Sequence, residues 1–120
     1  GGEARLARRL LEEYTRYYPD NADARARLAW VMWKMGSEDE ALAEIRAGIE
    51  YHPENVRARK WLLHWTLEQE KLDQAMGQAE RALKVWPQDR DFLLALGKTA
   101  ARLKDESKAR EAFDALLESE

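Results

Sequence analysis

The sequence predicts an all-α protein: a single array of antiparallel helix pairs stacked in succession, about seven helices in all. Three observations carry this. Pro19, Pro53 and Pro87 stand 34 residues apart and are the only prolines of the chain. Between successive prolines lie two amphipathic stretches of helical period separated by a short polar break, a repeat that a pair of helices fills. The composition is 45% hydrophobic and 36% charged with only 6 Gly, which suits helices and leaves few turns for a β fold.

Taken in order, the helices are expected at about 3–17, 22–35, 38–51, 56–69, 72–85, 90–103 and 106–118. Asn21, Asn55 and Asp89 each follow a proline by two residues and are placed to cap the helix that comes next. Gly36 stops the second helix, and Ser37 with Glu40 reads as a capping box that starts the third. That helix runs through Ala41, Ile45 and Ile49 before closing at Pro53. Ala7, Ala41, Ala75 and Ala109 keep the 34-residue spacing early in the second helix of each unit, where a small side chain lets two helices approach. Leu28, Leu62 and Leu96 keep it in the first helices, as expected core positions. The boundaries that follow are a second helix at 1–21, full repeats at 22–55 and 56–89, and a near-complete repeat at 90–120.

One unit departs from its neighbours. Leu63 stands where Ala29 and Gly97 are small, and Ala79 where Ile45 and Phe113 are large, which predicts an exchange of volume between paired helices. By the same logic Trp65 is oversized and Gly48 undersized, and the two are expected to fill one another; Trp65 is expected to be buried.

Gly36, Ala41, Gly48 and Pro53 with Leu28 before them, and Leu96, Gly97, Ala109 and Phe113 in the last unit, resemble the tetratricopeptide repeat pattern. The resemblance runs along the whole chain as three repeats plus half of one. It implies a right-handed solenoid of antiparallel helix pairs, with the first helix of each pair lining a concave groove that binds a protein or peptide. It does not extend to the clamp with which chaperone adaptors of this family grip a peptide C-terminus. Only Lys60 matches that set; Trp30 and His64 stand where asparagine is wanted, Arg27 fills another slot, and Trp61 stands for arginine.

At about 100° per residue, Ala24, Leu28, Val31, Met32 and Met35 share one face of the second helix, and Ala26, Trp30 and Trp33 lie opposite. The corresponding rows hold Lys60, His64 and Leu67, then Leu94, Lys98 and Ala101. Flanking rows carry Asp23, Arg27 and Lys34, then Arg57, Trp61 and Glu68, then Asp91, Ala95 and Arg102. The expected groove residues are therefore Trp30, Trp33, Lys34, Arg57, Lys60, Trp61, His64, Lys98 and Arg102. Two indoles with no core position to fill are candidate anchors for a partner. Without Arg27 the rows hold five positive against three negative charges in a chain of net charge −3, an arrangement that favours an acidic partner segment.

Other function classes find little support. A pI near 5.5 argues against nucleic acid. Absence of cysteine removes thiolate catalysis, disulfides and zinc ribbons, and leaves periplasm and cytoplasm both open, the periplasm ahead. His52 and His64 have no carboxylate spacing that would make a metal site or a base, so no metal, cofactor or enzymatic activity is expected. No apolar run is long enough to cross a membrane. The half unit at the start and the lack of a further polar helix after Leu116 and Leu117 suggest a spacer from a longer array, self-associating through its last helix. By family analogy alone, a bacterial envelope or exopolysaccharide-export scaffold in contact with a secreted polysaccharide is the other alternative.

Overall fold

The computed structural model describes residues 2–119, and among them there are seven helices and no strand. They are α1 Gly2–Tyr17, α2 Ala22–Lys34, α3 Glu38–Tyr51, α4 Val56–Glu68, α5 Leu72–Val85, α6 Arg90–Arg102 and α7 Glu106–Glu118. Each end falls within a residue or two of the sequence expectation. The chain divides into two compact units, one up to Leu62 and one from Leu63 onward, so α4 contributes its first turns to one and its last turns to the other.

The 34-residue rhythm is written in backbone hydrogen bonds. At each proline turn the peptide N–H of the capping residue donates to the carbonyl three residues back: Asn21 to Tyr18, Asn55 to His52, Asp89 to Trp86. The side chains of Asn21, Asn55 and Asp89 then accept from the first helical N–H groups, as at Ala24, where the distance is 2.9 Å. The other turn is a Schellman motif made three times. Gly36 N–H donates to Trp33 and Ser37 N–H to Met32; Glu70 and Lys71 repeat this on Leu67 and Thr66, and Lys104 and Asp105 on Ala101 and Ala100. The residue at the centre takes a left-handed φ each time: +87° at Gly36, 58° at Glu70 and 62° at Lys104.

The capping box expected at Ser37 does not form. Ser37 has ψ 64°, outside the extended region, and its side chain makes no cap bond to α3. Arg8 of α1 claims both halves of the box: Nη1 donates to Ser37 Oγ at 3.3 Å and Nη2 to Glu40. A charged donor with two acceptors in reach outcompetes the neutral backbone N–H. At the equivalent positions Lys71 makes no cap bond, and Asp105 does, to Lys108 N–H.

Ala41, Ala75 and Ala109 are buried between helices as the pattern requires. The column one residue beyond the expected leucines, at Ala29, Leu63 and Gly97, is buried in all three first helices. Leu28 is buried, but Leu62 and Leu96 are only half-buried, and Leu96 borders an open pocket. The volume exchange is direct in the last repeat, where a Cβ added at Gly97 would stand 2.6 Å from the ring of Phe113. Leu63 and Ala79, the reversed pair, are both buried. Trp65 is 4% exposed, a core residue. The expected filling of Gly48 by Trp65 is not what happens: the atoms near that glycine belong to Arg25, 3.7 Å from where a Cβ would sit. Arg25 is drawn there by several partners at once, since its guanidinium pairs with Glu44 at 2.9 Å, donates to the Pro19 carbonyl and lies over the Tyr51 ring.

Candidate functional site

Those three contacts of Arg25 fix how α2 is rolled. With Ala24, Leu28 and Met32 turned inward, the residues at 23, 27, 30 and 34 must face out, and none of the four is buried. On α4, Arg59 is tied to the Pro53 carbonyl at 2.8 Å, the same latch one repeat later, and Arg57 and Trp61 stand one turn apart on the adjacent face. Leu11 of α1 completes the wall.

These elements enclose a groove of about 430 Å³ inside the first unit, lined by Leu11, Asp23, Ala26, Arg27, Trp30, Val31, Arg57 and Trp61. Trp30 is 45% exposed. The Lys34 ammonium lies 5.4 Å from its ring centroid, a cation–π contact that holds the indole on one side. Trp61 is half-buried, and Val31 is buried beneath. Two guanidinium groups and one carboxylate sit among the apolar surfaces, so the groove is amphipathic with a net positive lining. What such a set does chemically is bind, by stacking, aliphatic contact and charge-assisted hydrogen bonds.

The residues singled out from the sequence divide as follows. Trp30, Arg57 and Trp61 line the groove, with Lys34 on the Trp30 ring. Trp33 is half-buried and is not a lining residue, and Lys60 is half-buried on α4. His64, Lys98 and Arg102 are exposed residues of the second unit. There His64 Nε2 stands 2.9 Å from Glu68, and Arg102 pairs with Glu70. Leu11 escapes the sequence reading, although it stands 34 residues before Ile45, the large core position of α3. The second unit has a smaller pocket of about 270 Å³, where Leu93, Leu96, Ala112 and Ala115 meet the Glu80–Lys108 ion pair at 3.0 Å. That pair raises the Lys108 pKa. Among the described residues no cluster of His, Asp and Glu is placed to hold a metal ion, and no helix is long and apolar enough to cross a membrane.

No curated protein sequence shows a significant match to the chain. Among solved structures it is similar to MamA from Desulfovibrio magneticus RS-1, at 22% identity and TM-score 0.78, over 98% of this chain and 67% of that one. A second MamA crystal structure gives 17% identity and TM-score 0.81, over 99% and 70%. YrrB, described as a TPR protein with an unusual peptide-binding site, gives 22% and 0.77, over 99% and 61%. The chain thus spans between 61% and 70% of the length of these proteins, and at such identities the likeness is one of fold. Tetratricopeptide repeat families match residues 2–62 and 67–119. With paired helices, the proline turns and the family match over both units, the chain belongs to the tetratricopeptide repeat family.

Proposed function

We propose that this chain is a non-catalytic interaction module whose first unit seats a segment of a partner protein in the groove between α1, α2 and α4. Tetratricopeptide repeats mediate protein–protein contacts, which sets the class. The observation that carries the reading to this site is Trp30, an indole left 45% exposed beside a half-buried second indole and two arginines. An apolar or aromatic side chain of the partner stacks between Trp30 and Trp61, and a neighbouring carboxylate is drawn by Arg27 and Arg57. Asp23 at one end disfavours a purely acidic segment, so the partner carries its acid next to the anchor. Trp33, Lys34 and Lys60 are proposed as further contacts of the first unit, and His64, Lys98 and Arg102 as contacts of the second.

The test is a set of short synthetic peptides, acidic, neutral or basic around a central Phe or Leu, titrated against the chain and its Trp30→Ala variant. Acidic members bind, and Trp30→Ala weakens them by more than about 2 kcal/mol while melting moves by less than about 0.5 kcal/mol. Equal binding by the variant, or a collapse of its melting, sinks the reading. A secreted polysaccharide, and with it an export scaffold in the envelope, is the alternative occupant, since sugars stack on indoles. Indole fluorescence that responds to oligosaccharides and to none of the peptides would give the groove to the sugar. Silence with both would leave the chain a spacer.

A further inference from the structure

The pocket of the second unit has an apolar floor, Leu93, Leu96, Ala112 and Ala115, and a charged rim, Glu80, Lys108 and Glu111. The 34-residue register shows what covers this surface in the earlier repeats. On α3 it is a guanidinium: Arg25, equivalent to Leu93, pairs with Glu44, equivalent to Ala112. On α5 it is a guanidinium again. Arg81, equivalent to Ala115, has Nη1 3.3 Å from where a Cβ on Gly77 would stand, and Gly77 is equivalent to Glu111. In α6 and α7 both arginines give way to Leu93 and Ala115, and a carboxylate replaces the glycine. The pocket of about 270 Å³ is the space that those side chains would fill. Its walls are all helices of the second unit. Lys108 pairs with Glu80 of α5 at 3.0 Å, as Glu40, its equivalent on α3, pairs with Arg8 of α1, so this side of α7 faces back to the preceding helices.

We infer that the pocket takes an arginine side chain from a partner protein, its aliphatic stem over Leu93 and Ala112 and its guanidinium on the carboxylates of Glu80 and Glu111. Size selects a side chain: about 270 Å³ lies below the roughly 300–1,000 Å³ of small-molecule sites. Charge selects a cation. Two carboxylates share the single Lys108 ammonium, and the adjoining face of α7 adds Glu106 and Asp114 against Arg110. Glu80 foremost, then Asp105 and Glu111 through space, raise the Lys108 pKa, as a site richer in carboxylate than in ammonium does. The Glu80–Lys108 pair is half-exposed and contributes little, so Glu80 can turn to a second donor. Arginine suits the place better than lysine, because its stem covers apolar surface and its planar fork meets two carboxylates at once. The site is independent of the groove in the first unit, whose positive lining disfavours such a segment.

The experiment is a titration of the isotope-labelled chain with the peptide acetyl-Ser-Leu-Arg-Leu-Ser-amide, followed by backbone amide NMR shifts. At millimolar peptide the amides of Leu93, Leu96, Ala112 and Ala115 move, and the Trp30 indole N–H does not. Citrulline in place of arginine keeps the shape, removes the charge and weakens binding about tenfold; lysine weakens it about threefold. Glu111→Gln, at an exposed site, weakens binding several-fold with unchanged melting. Lys108→Gln removes the competing ammonium and tightens it about threefold, a change of sign that a merely structural role for Lys108 would not produce. The inference is overturned if the citrulline peptide binds as well, if the shifts gather at Trp30, or if Lys108→Gln weakens binding. It is overturned equally if no amide moves, or if the same amides move on concentrating the chain alone, which would give the pocket to a second copy.

Discussion

The two units of the chain use one backbone plan for opposite ends. In the first, the outward faces of α2 and α4 devote large side chains to a groove, and Trp30 stays exposed; the left-handed turn is relaxed on Gly36. In the second, an indole one register step along, Trp65, is sealed in the core, Gly97 admits the Phe113 ring at contact distance, and the left-handed turns fall on Glu70 and Lys104. One step along a helix turns a side chain by about 100°, enough to move a tryptophan from binding surface to core. The first unit thus gives up packing for a surface, and the second gives up ease at its turns and tolerance at its core.

The sharpest way to break that contrast is to truncate both indoles. Trp65→Ala removes a core side chain and costs about 3–5 kcal/mol, read as a large drop in the denaturation midpoint. Trp30→Ala changes the same measurement by less than about 0.5 kcal/mol. Equal losses would mean that the first unit buries its groove after all.

Next in size is Gly97. Ala there gains about 1 kcal/mol of helix propensity but drives its methyl into Phe113, at about 1–3 kcal/mol, so the net is a loss. With Phe113→Leu in place the clash is relieved, and Gly97→Ala becomes stabilising. A double-mutant cycle measures that change of sign; additive effects would show that the two residues do not share the space.

The turns predict a smaller effect of opposite sign in the two units. Lys104→Gly relieves a left-handed lysine and stabilises by about 1 kcal/mol, whereas Gly36→Ala, with nothing within 4 Å to clash, loses about as much through its backbone alone. Glu70→Gly gains less, because Glu70 also pairs with Arg102. Urea midpoints for the three variants order them.

How much of this is legible in the sequence follows from the reach of each signal. Helix number and ends are readable because Asn21, Asn55, Asp89 and the three prolines act on their own neighbours. The Ser37 cap is misleading because its competitor, Arg8, is 29 residues away. The turns at Glu70 and Lys104 carry no glycine; only their distance from Gly36 marks them. Trp30 can be placed off the core by helical angle, while the wall supplied by Leu11 needs the register between repeats rather than the pattern within one. Arg25 is hidden altogether, because a long side chain that fills the place of a missing one is a property of two helices together.

The smallest effect separates the proline turns. Tyr18, His52 and Trp86 occupy one slot; Trp86 lies stacked near Phe92, with centroids 6.2 Å apart, and Tyr18 packs against Tyr14 in a tilted pair, with centroids 4.8 Å apart. His52 makes polar contacts there instead, with one ring nitrogen on the Asp20 carbonyl and the other 3.3 Å from the Glu54 carboxylate. A carbonyl can only accept, so Nε2 keeps its proton, and the second proton, on Nδ1, is the one that Glu54 favours. The backbone bond to Asp20 and then the Glu54 contact raise the His52 pKa above its ordinary 6.5. A raised histidine stabilises the fold fully below the unfolded value and loses that contribution as pH rises through the folded one. The melting temperature of the parent minus that of His52→Gln is therefore greatest below about pH 6 and falls toward zero as pH rises through the raised His52 value, because the Asp20 bond, which glutamine can also make, cancels from the difference. A difference that grows with pH, or none at any pH, would show that the aromatic slot at this turn is filled for shape and that its charge does nothing.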